Sequence, residues 1–187
     1  MKKICRPSSF VFHFSLLAFL LLAACGDNKS NTSNTPQHLS QEALTDSIEN
    51  LDSIMRTDYL FDTVRSNKMI GWCNEYAERF PEDSLAPVYL LTSAQIQISK
   101  GDFEQGISTL DSIIVLYPGF ENVAVCQFLK GMAYEQNQQY DMARQAYTDF
   151  VTNYPDHVLA SDIRKAIPMV GLSPEKQLET VLAHKKK

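Results

Sequence analysis

The chain has 187 residues, 44% hydrophobic and 10% aromatic, which suffices for one compact domain with a continuous core. Its formal charge of −5 becomes −8 once Lys2, Lys3 and Arg6 of a basic leader are set aside, leaving 14 basic against 22 acidic residues. That balance argues against nucleic acid as a partner.

Residues 1–24 read as an export signal: the basic head, a thirteen-residue apolar run from Phe10 to Leu22, and the small residues Ala23 and Ala24. Such a run is short of the ~20 residues a membrane-spanning helix needs. The segment Leu22-Ala23-Ala24-Cys25-Gly26 resembles the bacterial lipoprotein signal. The resemblance implies cleavage before Cys25 and lipid, palmitate included, on its sulfur and amine. Two or three acyl chains hold a protein durably where one holds it marginally. Gly26 in place of Asp implies the outer rather than the inner membrane, with the domain facing the periplasm. Residues 25–41 are rich in Asn, Ser, Thr, Pro and Gln, too polar to order themselves, and predict a leash of roughly 20 Å typical reach. A helical domain is expected over 42–187.

In that domain the first expected helix runs from Glu42 to about Met55, and a second, carrying Ile70, Cys73, Tyr76 and Ala77, from Lys68 to Phe80. Three aromatic-proline pairs, Phe80-Pro81, Tyr117-Pro118 and Tyr154-Pro155, recur with their prolines 37 residues apart, the mark of stacked helical hairpins. Proline disfavours helix in the residue before it, so each pair closes a helix. The first hairpin is degenerate. Met69 and Cys73 stand where a small and a bulky residue are expected, and Thr57 to Arg65 departs from the template.

The second hairpin sets Ala94 opposite Gly106, followed by Leu110 and Ile113, with Gly101 as the break between helices. Asp102 with Gln105 predicts a capping box at its second helix. In the third, a helix from Glu121 to Asn137 with Val123, Cys126, Gly131 and Tyr134 precedes one with Ala143, Ala146, Tyr147, Phe150 and Val151. Gly131 and Ala143 are twelve apart, like Ala94 and Gly106, where two antiparallel helices approach most closely. A fourth helical pair begins over His157 to Ile167 and is interrupted by Pro168. Ser173-Pro174 then starts a last helix whose Leu178, Val181 and Leu182 are expected to cover the preceding hairpin, with Lys185, Lys186 and Lys187 suited to its C-terminal dipole.

These features resemble the tetratricopeptide repeat. The distances from Ala94 to Pro118 and from Gly131 to Pro155, 24 residues each, match that family, and the residues added to its nominal unit of 34 fall after the proline, as in Pro118-Gly119-Phe120-Glu121-Asn122. The expected fold is all-α: a short right-handed α-solenoid with two clear repeats and degenerate terminal units. FPEDSLAPVYL, FLKGMAYE and YTDFVTNYPDH look like small tetratricopeptide lipoproteins of Bacteroidetes-type bacteria and, more distantly, the repeat lipoprotein of the barrel-assembly machinery and the periplasmic repeat partner of the Tol-Pal system.

The resemblance implies a lipid-anchored envelope adaptor, in outer-membrane assembly or envelope maintenance, that binds a protein or peptide partner in a groove lined by the first helices. Leu91, Gln95 and Ile98 of one repeat and Phe128, Met132 and Glu135 of the next are the candidate lining, although Leu91, Phe128 and Met132 equally suit the core. The Lys and Asn of the family's carboxylate clamp are missing from these positions. A solute- or glycan-binding alternative would use Trp72, Tyr59 and Tyr76 as a stacking platform. A hydrolase is the weakest reading: Glu82-Asp83 and Asp156-His157 fall in inter-repeat turns, and GxSxG, HExxH and phosphate-loop motifs are missing. No catalytic residue, cofactor or metal site is expected, since His13, His38, His157 and His184 are scattered and Cys73 and Cys126 lie in apolar helices as structural thiols.

Overall fold

The computed structural model describes residues 38–58 and 62–184. The leader, Cys25, Tyr59 and Lys185 to Lys187 lie outside them. Among the described residues eight α-helices follow one another and there is no strand. They are α1 (Gln41–Thr57), α2 (Thr63–Arg79), α3 (Ala86–Ser99), α4 (Phe103–Leu116), α5 (Val123–Gln136), α6 (Tyr140–Asn153), α7 (Ala160–Ala166) and α8 (Pro174–His184), with a 3-10 turn at Ile167–Met169 after α7. Each helix from α1 to α7 packs on its sequence neighbours, which makes the fold a solenoid of helical hairpins.

The repeat is metrically regular. Helices α3 and α5 begin 37 residues apart, as do α4 and α6, and α2, α4 and α6 end at the same interval. Each of those three helices stops on an aromatic cap before proline: Phe80, Tyr117 and Tyr154 have φ near −130° and ψ of 56, 58 and 59°. Their amide N–H groups donate to the carbonyls of Tyr76, Ile113 and Phe150. The same hydrogen-bonded turn then launches the next helix, Asp83 N–H to Phe80 and Ala86 N–H to Asp83 in the first case, His157 N–H to Tyr154 and Ala160 N–H to His157 in the last. Thus α7 takes the place of a fourth hairpin's first helix, and Pro168 turns its continuation into the 3-10 turn.

The first unit is a full hairpin. Leu44, Ile48 and Leu51 of α1 meet Met69, Cys73 and Tyr76 of α2, and Tyr89 of α3 joins them. Met69 and Cys73 are both buried in this cluster. Two boundaries differ from expectation. Helix α2 starts at Thr63 rather than near Lys68, because the Asp62 carboxylate accepts the amides of Val64 and Arg65 as an N-cap. Helix α1 starts at Gln41, one residue before Glu42, with Ser40 as its N-cap, and the His38 ring contacts Glu75 at 3.0 Å.

Three further expectations are corrected. Asp102 makes no side-chain cap to α4; its carboxylate is drawn instead to Lys100 Nζ at 2.8 Å, so the capping box does not form. Helix α5 starts at Val123, two residues after Glu121, the turn at Phe120 consuming the difference. Helix α8 does not cover the stack: Leu178, Val181 and Leu182 are 60, 40 and 50% exposed. The covering is done by α7 and its 3-10 turn, whose Ile163 and Ile167 pack against Ala143, Tyr147 and the buried Val170. Arg144 donates to the Val170 carbonyl at 2.9 Å and fixes that seat.

Candidate functional site

The predicted partner-binding residues do not form one groove. Ile98 turns into its own hairpin, where its Cγ1 stands 2.6 Å from the place a β-carbon on Gly106 would occupy. Glu135, its counterpart one repeat on, accepts a hydrogen bond from Tyr147 Oη at 2.8 Å. Phe128 packs against Tyr147 and Phe150 with ring centroids 6.1 and 5.9 Å away, and Met132 joins the cluster covered by α7. Leu91 belongs to the cluster of Ala94, Leu110, Ile113 and Cys126. Only Gln95 is openly exposed. Sequence spacing put these side chains on one helical face, but the second helix of each hairpin and the α7 segment take up that face.

Of the stacking platform of the solute-binding reading, Tyr59 lies outside the described residues. Tyr76 is buried, edge-on to Tyr89 at 4.7 Å, and its hydroxyl accepts from Gln41. Trp72 is half-buried, with Lys68 Nζ 4.4 Å above its ring. The acidic pairs serve the turns: Asp83 accepts the Leu85 amide at 2.8 Å, and His157 Nδ1 accepts that of Leu159 while its ring stands edge-on to Phe150.

Two open grooves meet at Leu116, a residue sequence reading passed over. One, of about 580 Å³, runs along α4 past Glu104, Ile107, Asp111 and Val115 to Leu116 and Tyr134. The other, of about 620 Å³, lies between successive aromatic-proline turns and is lined by Pro81, Val88, Leu116, Pro118 and Phe120, with Glu82 and Glu121 at its rim. Val115 and Leu116 are 74 and 66% exposed, so this is apolar surface presented to solvent rather than core. Helix α4 is apolar on both faces at its C-terminal end, through the buried Ile113 on one side and Val115 with Leu116 on the other. That double-sided run was the signal in the sequence.

The grooves are electrically one-sided. Glu82, Asp83, Glu104, Asp111 and Glu121 are among their lining, and none of the described residues lining either is Lys, Arg or His. Lys130 reaches Asp111 from outside at 2.6 Å and balances that one carboxylate. Burial, and then the charge of Glu82, push the Tyr117 hydroxyl above its ordinary pKa. Such a face suits a segment with apolar side chains flanked by cations.

The two described cysteines are free and buried, and burial pushes the Cys73 thiol up to about 12 and the Cys126 thiol up to about 11. Among the described residues no three His, Cys, Asp or Glu side chains are grouped to hold a metal ion, and no helix is long and apolar enough to cross a membrane.

The fold defines a stack of helical hairpins of the repeat class. The tetratricopeptide repeat family model matches residues 126–157, the stretch from within α5 through α6 to the turn before α7. No curated protein matches the chain.

Proposed function

We propose that this chain is a non-enzymatic adaptor of the bacterial cell envelope, held by lipid on Cys25 at the outer membrane, that recruits a protein partner onto its hairpin stack. The observation that carries the reading is the exposed apolar strip at Val115 and Leu116, set among carboxylates on a regular solenoid matched over residues 126–157 by the tetratricopeptide repeat family model. Repeat stacks of this kind present extended surfaces for protein recognition. The polar segment before His38 would let the domain reach away from the membrane while tethered. The test is affinity capture of the full chain from solubilised envelopes, beside a Leu116→Glu variant. The adaptor reading expects a stoichiometric protein partner with the parent chain and its loss with the variant. Equal recovery from both, or recovery of a small solute alone, would count against it.

A further inference from the structure

The exposed pair Val115 and Leu116 is peculiar to one hairpin. The 37-residue register places Glu78 and Arg79 at the same two sites of α2, and Thr152 and Asn153 at those of α6. Closing a helix on an aromatic-proline pair therefore does not require apolar side chains there. Carboxylates stand at both ends of the strip: Glu104 in the first turn of α4, and Glu82 and Glu121 in the two turns beside Leu116. All three are exposed and have no hydrogen-bond or ion-pair partner among the described residues. Asp111 and Asp83 differ, the first balanced by Lys130, the second occupied by the Leu85 amide and Gln41.

We infer that the occupant of the α4 face is a helix of a partner protein, with large apolar side chains along one stripe and a Lys or Arg at each end of it. Ile107, Asp111 and Val115 follow one another at four-residue intervals as a ridge of α4, and the groove beside such a ridge takes the stripe of another helix. With no strand among the described residues, the face offers an extended segment no sheet edge to pair with. Glu104 and Leu116 are twelve residues apart, about 18 Å along the axis. About three turns of the partner helix thus bring one cation to Glu104 and the other to Glu82 and Glu121. The inference rests on reading α4 as a protein-docking surface and names the chemistry of what docks. The three uncompensated carboxylates repel an anionic lipid surface. They also disfavour helix α8 of a second copy, where Glu175 and Glu179 lie near the exposed Leu178.

The deciding experiment puts photo-crosslinking benzoylphenylalanine in place of Val115 in the full chain, expressed in its own host, and keeps Leu116 as the anchor. The expected adduct joins the chain to another protein, at a segment with a Lys or Arg beside the crosslinked residue and a second about twelve residues along. The same chain carrying Glu82→Gln, Glu104→Gln and Glu121→Gln, exposed changes that leave the core intact, should lower the adduct yield about tenfold, the combined effect of three surface ion pairs. Added salt should lower the parent's yield in the same direction. A crosslinked segment that is acidic or uncharged, or a yield that the three glutamines leave unchanged, would overturn the cationic helix and leave the adaptor reading standing. An adduct to a second copy of this chain, or to lipid alone, would overturn the named partner class. A chain that forms no adduct would overturn both the inference and α4 as the docking surface.

Discussion

The ring of Tyr147 fills the space that a β-carbon on Gly131 would need: its Cε1 and Cδ1 lie 2.5 and 2.6 Å from that position. One repeat earlier the same two positions hold Ala94 and Leu110. The residues covary within a single chain, a larger side chain on the second helix requiring a smaller one on the first. The hydroxyl bond from Tyr147 to Glu135 holds the ring in place, so it does not yield readily.

Gly131→Ala should therefore destabilise the fold by about 1–3 kcal/mol through overpacking. Gly131→Ala combined with Tyr147→Leu rebuilds the Ala94–Leu110 arrangement and should recover most of that loss. Urea denaturation of the two single variants and the pair provides the cycle. Strict additivity would show that the two residues do not share one site.

Gln138 occupies the position of Gly101 in the next repeat and adopts φ 58°, where Gly101 has φ 85°. A side chain in this left-handed region costs about 1–2 kcal/mol. Gln138→Gly should raise stability by about 0.5–1 kcal/mol, and Gly101→Ala should lower it by about 1 kcal/mol. Thermal melts of both variants check the opposite signs.

The thiols give the fold an alkaline limit. Cys73 and Cys126 are held by burial at about 12 and about 11, above the ordinary 9.0, so the folded state keeps protons that the unfolded chain releases. Their contribution is intact below pH 9 and drains away as pH rises through the window up to those values. Burial, followed by Glu135, pushes Tyr147 in the same direction. Denaturant midpoints should be flat around neutrality and fall above pH 9, and a Cys73→Ala chain, weaker at neutral pH, should show a shallower alkaline slope. Neither thiol should react with a disulfide reagent at about pH 8 until the chain unfolds.

Cys25 is tested directly by palmitate labelling in a bacterial host. Incorporation into the parent chain and none into Cys25→Ala is the outcome the envelope reading requires. Equal labelling of both would remove the anchor.

Much of the fold was legible because proline is a hard signal: Pro81, Pro118 and Pro155 stop helices whatever surrounds them, and their interval gave the register to the residue. Softer signals were overridden by neighbours. Asp102 is a good cap by type, yet Lys100 two residues away captures its carboxylate. Asp62 went unread as a cap because it lies in a stretch that does not follow the repeat template. The docking set was read from helical spacing alone, which places Ile98 and Glu135 on one face but not the side chains that come to meet them. Leu116 was missed because the closing position of a helix reads as core in a repeat, whereas here it points outward.

The matched caps at Phe80, Tyr117 and Tyr154 hand the chain onward at one set of backbone angles, and that uniformity makes the rod extensible in whole modules. Duplicating residues 81–117 in tandem would join a cap to the turn it already precedes, creating no foreign junction. A chain lengthened in this way would gain an additional rung while its two ends kept their own chemistry, which makes reach a quantity that gene duplication can adjust without redesign.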